Sequence, residues 1–222
     1  MKTILLATVA ALSVAAPAYA NDFAGFRVEG HTGLDVTSVK DVYGYPNESD
    51  DEFGDRSSKT GLLYGLGAGY DYAVTPKITL GAEVNLDFSN TGDVFLDTYL
   101  DDERHVNGSD PRREIELSAR AGYALNPSTL VYAKVGYVNG DFKLKGHLHN
   151  DGPTDDAAFS AKKKLDGLRL GVGAETLLGG GVYAKVEYRY TDYNNVNYAD
   201  EEYFASEQTQ RHQVVAGLGV RF

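Results

Sequence analysis

The sequence predicts an all-β protein, an eight-stranded antiparallel transmembrane up-and-down β-barrel with short periplasmic turns and four long extracellular loops. Three observations support this prediction. Apolar and polar residues alternate in eight segments of about 13 residues each. The connections between these segments are alternately short and long. Aromatic residues cluster near both ends of the apolar face, as at the two interfaces of a membrane.

The first twenty residues differ in character from the rest. Lys2 precedes the apolar run ILLATVAALSVAA, and Ala18-Tyr19-Ala20 follows as a small-x-small pattern. This order is typical of a secretory signal peptide, and the alternative is an N-terminal buried helix. We therefore expect cleavage between Ala20 and Asn21, which leaves residues 21–222 as one exported β-barrel domain.

Composition excludes several classes of protein. The chain has 222 residues, no cysteine and a formal net charge of -11. Without cysteine there are no disulfides or cysteine-ligated metals, and the negative charge argues against nucleic acid as a partner. After the signal segment, no stretch reaches the ~18 consecutive apolar residues of a membrane helix. Because a barrel escapes hydropathy scans, the alternative at this point is an exported soluble β-sandwich.

Period-two alternation defines the strands. In VYAKVEYRY, residues 182–190, valine, alanine and tyrosine share one parity, whereas Lys185, Glu187 and Arg189 share the other. Alternate residues point to opposite faces of a strand, so each segment has one apolar and one polar face. Each segment exceeds the ~9–11 residues needed to cross a bilayer. The predicted strands are 24–36, 60–72, 77–89, 113–125, 129–142, 166–178, 181–193 and 210–222.

The connections distinguish the two ends of the barrel. Val74-Thr75-Pro76, Asn126-Pro127-Ser128 and Gly179-Gly180 are short turn signals. Acidic runs such as NESDDEFGD occur in the long connections, and we expect them to be solvated outer loops. The alternatives are divalent-cation binding, for example by Asp50, Asp51 and Glu52, or contact with a basic partner. The long connections are 37–59, 90–112, 143–165 and 194–209.

The signal peptide, the eight amphipathic strands, VYAKVGY, VYAKVEYRY and the closing VVAGLGVRF together resemble a known family. They are similar to the small outer-membrane β-barrel porins of the OmpA-like/opacity type. The resemblance covers the chain after residue 20. It implies the bacterial cell outer membrane as location, surrounding lipid and lipopolysaccharide, and Phe222 as a signal to barrel-assembly machinery. No domain follows Phe222, so the peptidoglycan-binding domain of longer members is not expected.

The polar face carries full charges in the middle of the strands. Eight strands enclose an interior just wide enough for side chains, and buried charges are tolerated only when paired. Six acids and six bases occupy this region, so we predict a salt-bridged polar plug. The alternative is a gated narrow pore in which the bases exchange carboxylate partners. The predicted network is Arg27, Glu29, Glu83, Glu114, Glu116, Arg120, Lys134, Arg169, Glu175, Lys185, Glu187 and Arg189.

A second candidate site is basic. Lys162, Lys163 and Lys164 lie just before the sixth predicted strand. With Arg112 and Arg113 they are expected to form a rim that contacts lipopolysaccharide phosphates. The alternative is ordinary positive surface.

The sequence contains no recognisable catalytic, metal or cofactor site. His147 and His149 lack a carboxylate at fixed spacing, and closeness of His212 to acids along the chain does not make a triad. G-x-S-x-G and H-E-x-x-H motifs are absent. We therefore predict a non-enzymatic surface barrel with a structural or interaction role, whose loops contact host or matrix ligands. A narrow porin-like channel for small solutes or ions is the alternative.

Overall fold

The computed structural model describes residues 19–44, 53–91, 94–100, 103–149, 157–194, 196–199 and 204–222. Within these ranges are one 3-10 helix, Tyr19–Phe23, and ten antiparallel strands. No helix in this part of the chain is long and apolar enough to cross a membrane. The strands are β1 Gly25–Gly44, β2 Phe53–Ala73, β3 Ile78–Ser89, β4 Val94–Leu100, β5 Glu103–Asn126, β6 Thr129–His149, β7 Ala157–Gly179, β8 Val182–Tyr193, β9 Val196–Ala199 and β10 Phe204–Arg221.

Eight of these strands form a closed barrel. Neighbours follow the order β1-β2-β3-β5-β6-β7-β8-β10, and β1 pairs with β10 to close the sheet. At the seam the backbone N–H of Phe222 donates to the carbonyl of Phe26 at 2.8 Å. The two short strands lie outside the circuit, β4 paired with β5 and β9 with β10. The predicted eight-stranded up-and-down barrel is confirmed.

The strands run further than predicted on the side of the long connections. Strand β1 continues to Gly44, and β5 and β6 remain paired as far as Arg104 and His149. The four predicted loops are therefore partly strand. Alternation marks a strand only where one face meets lipid and the other the lumen. In the extension of β1, the consecutive residues Thr37, Ser38 and Val39 are all buried, so alternation stops although the backbone pairing continues.

The short turns are built by specific local contacts. The hydroxyl of Thr75 accepts hydrogen bonds from the N–H groups of Lys77 and Ile78 at 3.3 and 3.0 Å. The amide oxygen of Asn126 accepts the N–H of Ser128 at 2.9 Å. Between β7 and β8, Gly180 and Gly181 adopt φ of 61° and 79°, a left-handed backbone that favours glycine. These contacts fix the periplasmic end of the barrel.

The two faces of the barrel wall differ in the way that parity predicts. The outer face exposes aliphatic side chains, among them Leu66 and Leu117, which belong in lipid. The inner face buries charged residues. The aromatic residues predicted to form two girdles lie on the outer face, Phe26, Tyr70, Tyr72, Tyr123 and Phe222 toward the short turns and Phe88, Tyr137, Tyr188 and Tyr190 toward the long connections.

The N-terminal helix Tyr19–Phe23 lies at the periplasmic base of the barrel. The backbone N–H of Ala20 donates to the carbonyl of Pro76 at 2.9 Å. Phe23 is fully buried against Ala124 and Leu130. Residues 1–18 of the predicted signal peptide lie outside the described residues, and cleavage between Ala20 and Asn21 stays a prediction.

Candidate functional site

All twelve residues of the predicted lumen network are buried inside the barrel. They do not form isolated pairs. Six further ionisable residues of the same parity join them, so that charges fill the lumen from the periplasmic base to the extracellular mouth. The additional residues are His31, Asp35, Asp71, Asp87, Arg211 and Arg221.

At the base, three arginines share two carboxylates. Arg27 Nε lies 3.0 Å from Asp71, and Arg120 Nη2 lies 2.9 Å from Glu175. Arg221, the last residue of β10, contacts both carboxylates, at 3.0 Å from Asp71 and 2.6 Å from Glu175. Because these residues come from β1, β2, β5, β7 and β10, the layer links strands on different sides of the barrel.

In the middle of the lumen, Lys134 is the shared cation of three carboxylates. Its ammonium lies 2.7 Å from Glu83, 2.9 Å from Glu116 and 2.9 Å from Glu187. These partners belong to β3, β5 and β8, whereas Lys134 belongs to β6. The hydroxyl of Tyr132 donates to Glu187 at 2.6 Å. The ammonium donates a hydrogen bond to Glu83, and its contacts with Glu116 and Glu187 are ion pairs.

Glu29 is held by a second lysine at the same level. Lys185 of β8 forms an ion pair with Glu29, and the hydroxyl of Tyr183 donates to the same carboxylate at 2.8 Å. Lys185 and Glu187 thus belong to one hydrogen-bonded and ion-paired assembly with Arg189, which pairs with Glu187. The charged row of VYAKVEYRY is therefore part of the plug.

In the layer above, three basic side chains contact Asp87. It faces the Nε2 atom of His31 at 2.5 Å, Arg189 at 2.9 Å and Arg169 at 3.4 Å. Arg169 also pairs with Glu114, which carries the network toward the mouth.

Near the mouth, several side chains donate hydrogen bonds to Asp35 or pair with it. The hydroxyls of Ser89 and Thr91 donate to it at 2.7 and 2.8 Å, and Arg211 pairs with it. Arg211 also pairs with Glu114, joining this layer to the one below. The void beside Asp87, Arg211 and Glu114 has a volume of about 10 Å³, roughly the room that one water needs.

Two small clusters of buried apolar residues lie inside the barrel, one toward each end of the charged region. At the base, Phe23 and Tyr132 pack with neighbouring aliphatic residues. Toward the mouth, Phe142 and Tyr193 meet edge to face with ring centroids 5.2 Å apart, beside Val138. Apolar side chains thus lie beside the network toward both ends of the lumen.

Two glycines make room for the long basic side chains. A Cβ at Gly171 would lie 2.8 Å from the side chain of Lys134, and one at Gly69 would lie 2.9 Å from Arg27. Such distances are shorter than those that real Cβ atoms show, so alanine at either position would force its neighbours to shift.

The position of the additional lumen residues on the polar face of their strands could have identified them from the sequence. Asp71 and Asp87 lie on the polar face of their strands but near the strand ends, and Arg211 shares its parity with Gln213. The predicted network was confined to the middle of the strands. In the described lumen there are nine buried carboxylates and eight buried arginines and lysines, with His31 between two of the acids.

The predicted basic rim is only partly brought together. Arg113 of β5 lies on the outer face and donates to Asp141 of β6 at 2.6 Å. Lys164 of β7 is exposed and directly opposite Asp141. Arg112 lies at a register shift in β5 and lines the small void at the mouth instead. For Lys162 and Lys163 the structure describes the backbone alone.

Other candidate ligands offer no formed metal site. In the part of the chain that the structure describes, no group of three or more histidines and acids is arranged to hold a metal ion. Asp50, Asp51 and Glu52 lie outside the described residues, and the side chains of His147 and His149 are likewise not described.

Comparison with known proteins places this geometry in context. A family model described as outer membrane protein beta-barrel domain matches residues 4–222. A 22 kDa outer membrane protein of Rhizobium leguminosarum bv. viciae is 29% identical over 72% of this chain and 67% of its own length. A 25 kDa outer-membrane immunogenic protein of Brucella abortus biovar 1 is 32% identical over 49% of this chain and 46% of its own. The matched part therefore spans about two-thirds and about half of these relatives.

A solved structure shares the fold. The outer membrane protease OmpT of Escherichia coli superposes with a TM-score of 0.53 at 11% sequence identity. The match covers 89% of this chain and 97% of that one. At this identity the likeness shows the barrel fold alone.

Proposed function

Because this chain belongs to the outer membrane protein β-barrel family, we propose that it is a surface scaffold whose solid lumen holds four extracellular hairpins in place. The family, the relatives and the fold establish an outer-membrane β-barrel protein located in the bacterial outer membrane. A structural or surface role fits these findings, and a channel is not favoured.

The observation that carries the proposal is the three-carboxylate contact of Lys134. The ammonium ties β6 to β3, β5 and β8 across the lumen, with distances of 2.7 to 2.9 Å. Moving Lys134 aside would take a cation from three buried carboxylates at once, which is unfavourable. Buried apolar clusters occupy part of the same lumen toward both ends. These features support a plug and disfavour a pore.

Planar-bilayer conductance tests the proposal. The refolded barrel, residues 21–222, is expected to give no discrete conductance steps, while a heat-dependent gel shift confirms that it is folded. The matched control is a double variant, Glu116→Ala with Arg169→Ala, which removes a buried pair 2.9 Å apart and opens space in the same lumen. Reproducible steps from the unaltered barrel would show that the lumen conducts, and the narrow channel would then replace the scaffold.

The extracellular hairpins are the proposed interaction surface. The Brucella relatives are named immunogenic proteins, which is a property of those proteins. For this chain we expect antibodies raised against the folded barrel to label intact cells. Labelling should fall when the β4–β5 hairpin is shortened, while labelling with a tag placed in the short turn at Pro127 requires permeabilised cells. Labelling of the Pro127 tag on intact cells would reverse the proposed orientation.

A lipopolysaccharide contact is a second proposed role for the outer wall. Arg113, Asp141 and Lys164 lie in one row across β5, β6 and β7, at the upper border of the apolar face. Basic side chains at this level lie where phosphates of the outer leaflet would be. The double variant Arg113→Gln with Lys164→Gln should reduce lipopolysaccharide retained on purification, and the reduction should shrink at high salt. Lys77→Gln, at the opposite end of the wall, is the control. Equal retention in both variants would remove this role.

We also propose that the protein is not an enzyme. The buried carboxylates of the described lumen are engaged with cations and hydroxyls. Hydrolysis of a generic peptide or ester substrate by the folded barrel, abolished by Asp87→Asn, would contradict this statement.

A further inference from the structure

A groove crosses the outer face of the wall near the periplasmic end. It lies on β3, β5 and β6 and has a volume of about 420 Å³. Its floor is formed by Ala121 and Ala133, which are directly opposite each other in the β5–β6 pairing. The row below is bulky, with Ile78 opposite Tyr123 and Tyr123 opposite Val131. Two alanines above a row of large side chains leave a depression, here called the periplasmic groove.

The next row of outward residues toward the middle of the membrane is also small on β3 and β5. This row contains Ala82 and Ala119, again directly opposite each other. The hydrocarbon layer contains no water that could fill the depression. If the depression stays empty, the side chains that line it lose dispersion contacts. The material that fits it is a flexible hydrocarbon chain lying along the wall.

A cation marks the membrane boundary of the groove. The ammonium of Lys77 lies 5.9 Å from the ring centroid of Tyr123, one of the groove walls. The backbone of Lys77 is fixed, because Thr75 accepts its N–H at 3.3 Å and Ala124 donates to its carbonyl at 2.8 Å. No ion pair to Lys77 is present in the described part of the chain.

We propose that the periplasmic groove retains one anionic phospholipid of the periplasmic leaflet. One acyl chain lies over Ala121 and Ala133, and the headgroup phosphate pairs with Lys77. The apolar depression alone would accept any acyl chain, whereas the cation at its end selects for negative charge in the headgroup. The inference is independent of whether the lumen conducts, since it concerns only the outer wall.

Native mass spectrometry with defined lipids tests the inference. The barrel is delipidated in detergent and incubated with equal amounts of phosphatidylglycerol and phosphatidylethanolamine of identical chains. We expect one retained lipid per barrel, with phosphatidylglycerol preferred about two- to fivefold, the range of an exposed ion pair. Lys77→Gln should abolish the preference, and Lys164→Gln should leave it unchanged.

A second pair of variants separates the groove from the remaining lipid-facing surface. Ala133→Phe fills the groove and should remove the retained lipid, while Ala216→Phe, also on the outer face but on β10, should not. The heat-dependent gel shift shows that each variant is folded, and Ala121→Leu serves if Ala133→Phe does not fold. A statistical ladder of lipids unaffected by Ala133→Phe would mean ordinary surrounding lipid. A species of twice the mass that Ala133→Phe abolishes would mean contact between two copies. Either result would overturn the inference.

Discussion

The inner and outer faces of the barrel are made from alternate residues of the same strands, yet they follow opposite rules. In β8, Lys185 and Glu187 are 5% and 1% exposed, whereas the intervening Val186 is 53% exposed. In a water-soluble protein this ratio would be reversed. Lipid surrounds the wall, so the charges go inward and the apolar side chains go outward. Burial therefore says nothing about polarity until the solvent is known.

The two faces also differ in how their residues depend on one another. An inward residue such as Lys134 contacts carboxylates from three other strands. An outward residue such as Leu66 contacts mainly lipid. Substitutions on the inner face should therefore couple strongly across the barrel, whereas those on the outer face should add independently.

The largest effect is expected at the centre of the inner face. Lys134→Met leaves Glu83, Glu116 and Glu187 without their shared cation, and breaking such a buried contact typically costs about 3–5 kcal/mol. Urea unfolding of the refolded barrel in detergent, followed by the gel shift, measures the loss of free energy of unfolding. Lys164→Met on the outer face is the matched control and should change it little. A loss below about 1 kcal/mol for Lys134→Met would show that the network relaxes without it.

A charge on the outer face should have the next largest effect. Leu66→Arg places a guanidinium in the hydrocarbon near the middle of β2, where a charge costs about 2–4 kcal/mol. The measurement is unfolding in liposomes, where lipid is the solvent. Leu66→Ala separates the loss of the leucine from the added charge. Equal stability of the two variants would mean that Leu66 does not face the hydrocarbon core.

A smaller effect is expected when only a hydroxyl is removed from the lumen. Tyr183→Phe takes one hydrogen bond from Glu29, which keeps its contacts with Lys185 and Arg27. Leaving a buried acceptor partly unsatisfied costs about 1–3 kcal/mol. Tyr72→Phe, on the exposed outer face, is the control for loss of a tyrosine hydroxyl. The unfolding transition of both variants is compared in the same detergent, and equal midpoints would assign no role to the Tyr183 hydroxyl.

The smallest effect is expected for the exposed pair Arg113 and Asp141. Both side chains are partly open to solvent, with 50% and 32% exposure, so a double-mutant cycle should give a coupling of about 0.2–1 kcal/mol. The coupling should decrease as salt is added. The same cycle on Arg120 and Glu175, which are fully buried, should give a larger coupling that salt hardly changes. Equal couplings would remove the distinction between the two faces.

Parity in the sequence was sufficient to assign the faces. It placed all twelve predicted charges in the lumen and the girdle aromatics outside, because one residue of shift would reverse every side chain. It could not assign partners. Lys134 meets Glu83, Glu116 and Glu187 only because closure and strand tilt bring distant positions to one level of the barrel. No short stretch of the sequence indicates how closure and tilt bring these positions together.

Three features escaped the sequence for separate reasons. Arg211 lies where alternation begins to weaken, so its parity was not used. The extensions of β1, β5 and β6 beyond the predicted strands lack alternation in the sequence, so period two gave no signal there. Phe23 follows the predicted cleavage point, and nothing in NDF indicates that this side chain packs into the barrel base.

The length of β5 sets a height as well as a pairing. At ~3.4 Å per residue and a tilt of ~40°, its 24 residues rise ~60 Å along the membrane normal, whereas the hydrocarbon core is ~30 Å thick. About half of the strand therefore lies above the hydrocarbon core, as one side of an extracellular hairpin. A large molecule that approaches the cell therefore contacts these hairpins before it contacts lipid. Each residue pair removed from the tip of the β4–β5 hairpin would lower the top of that hairpin by ~2.6 Å.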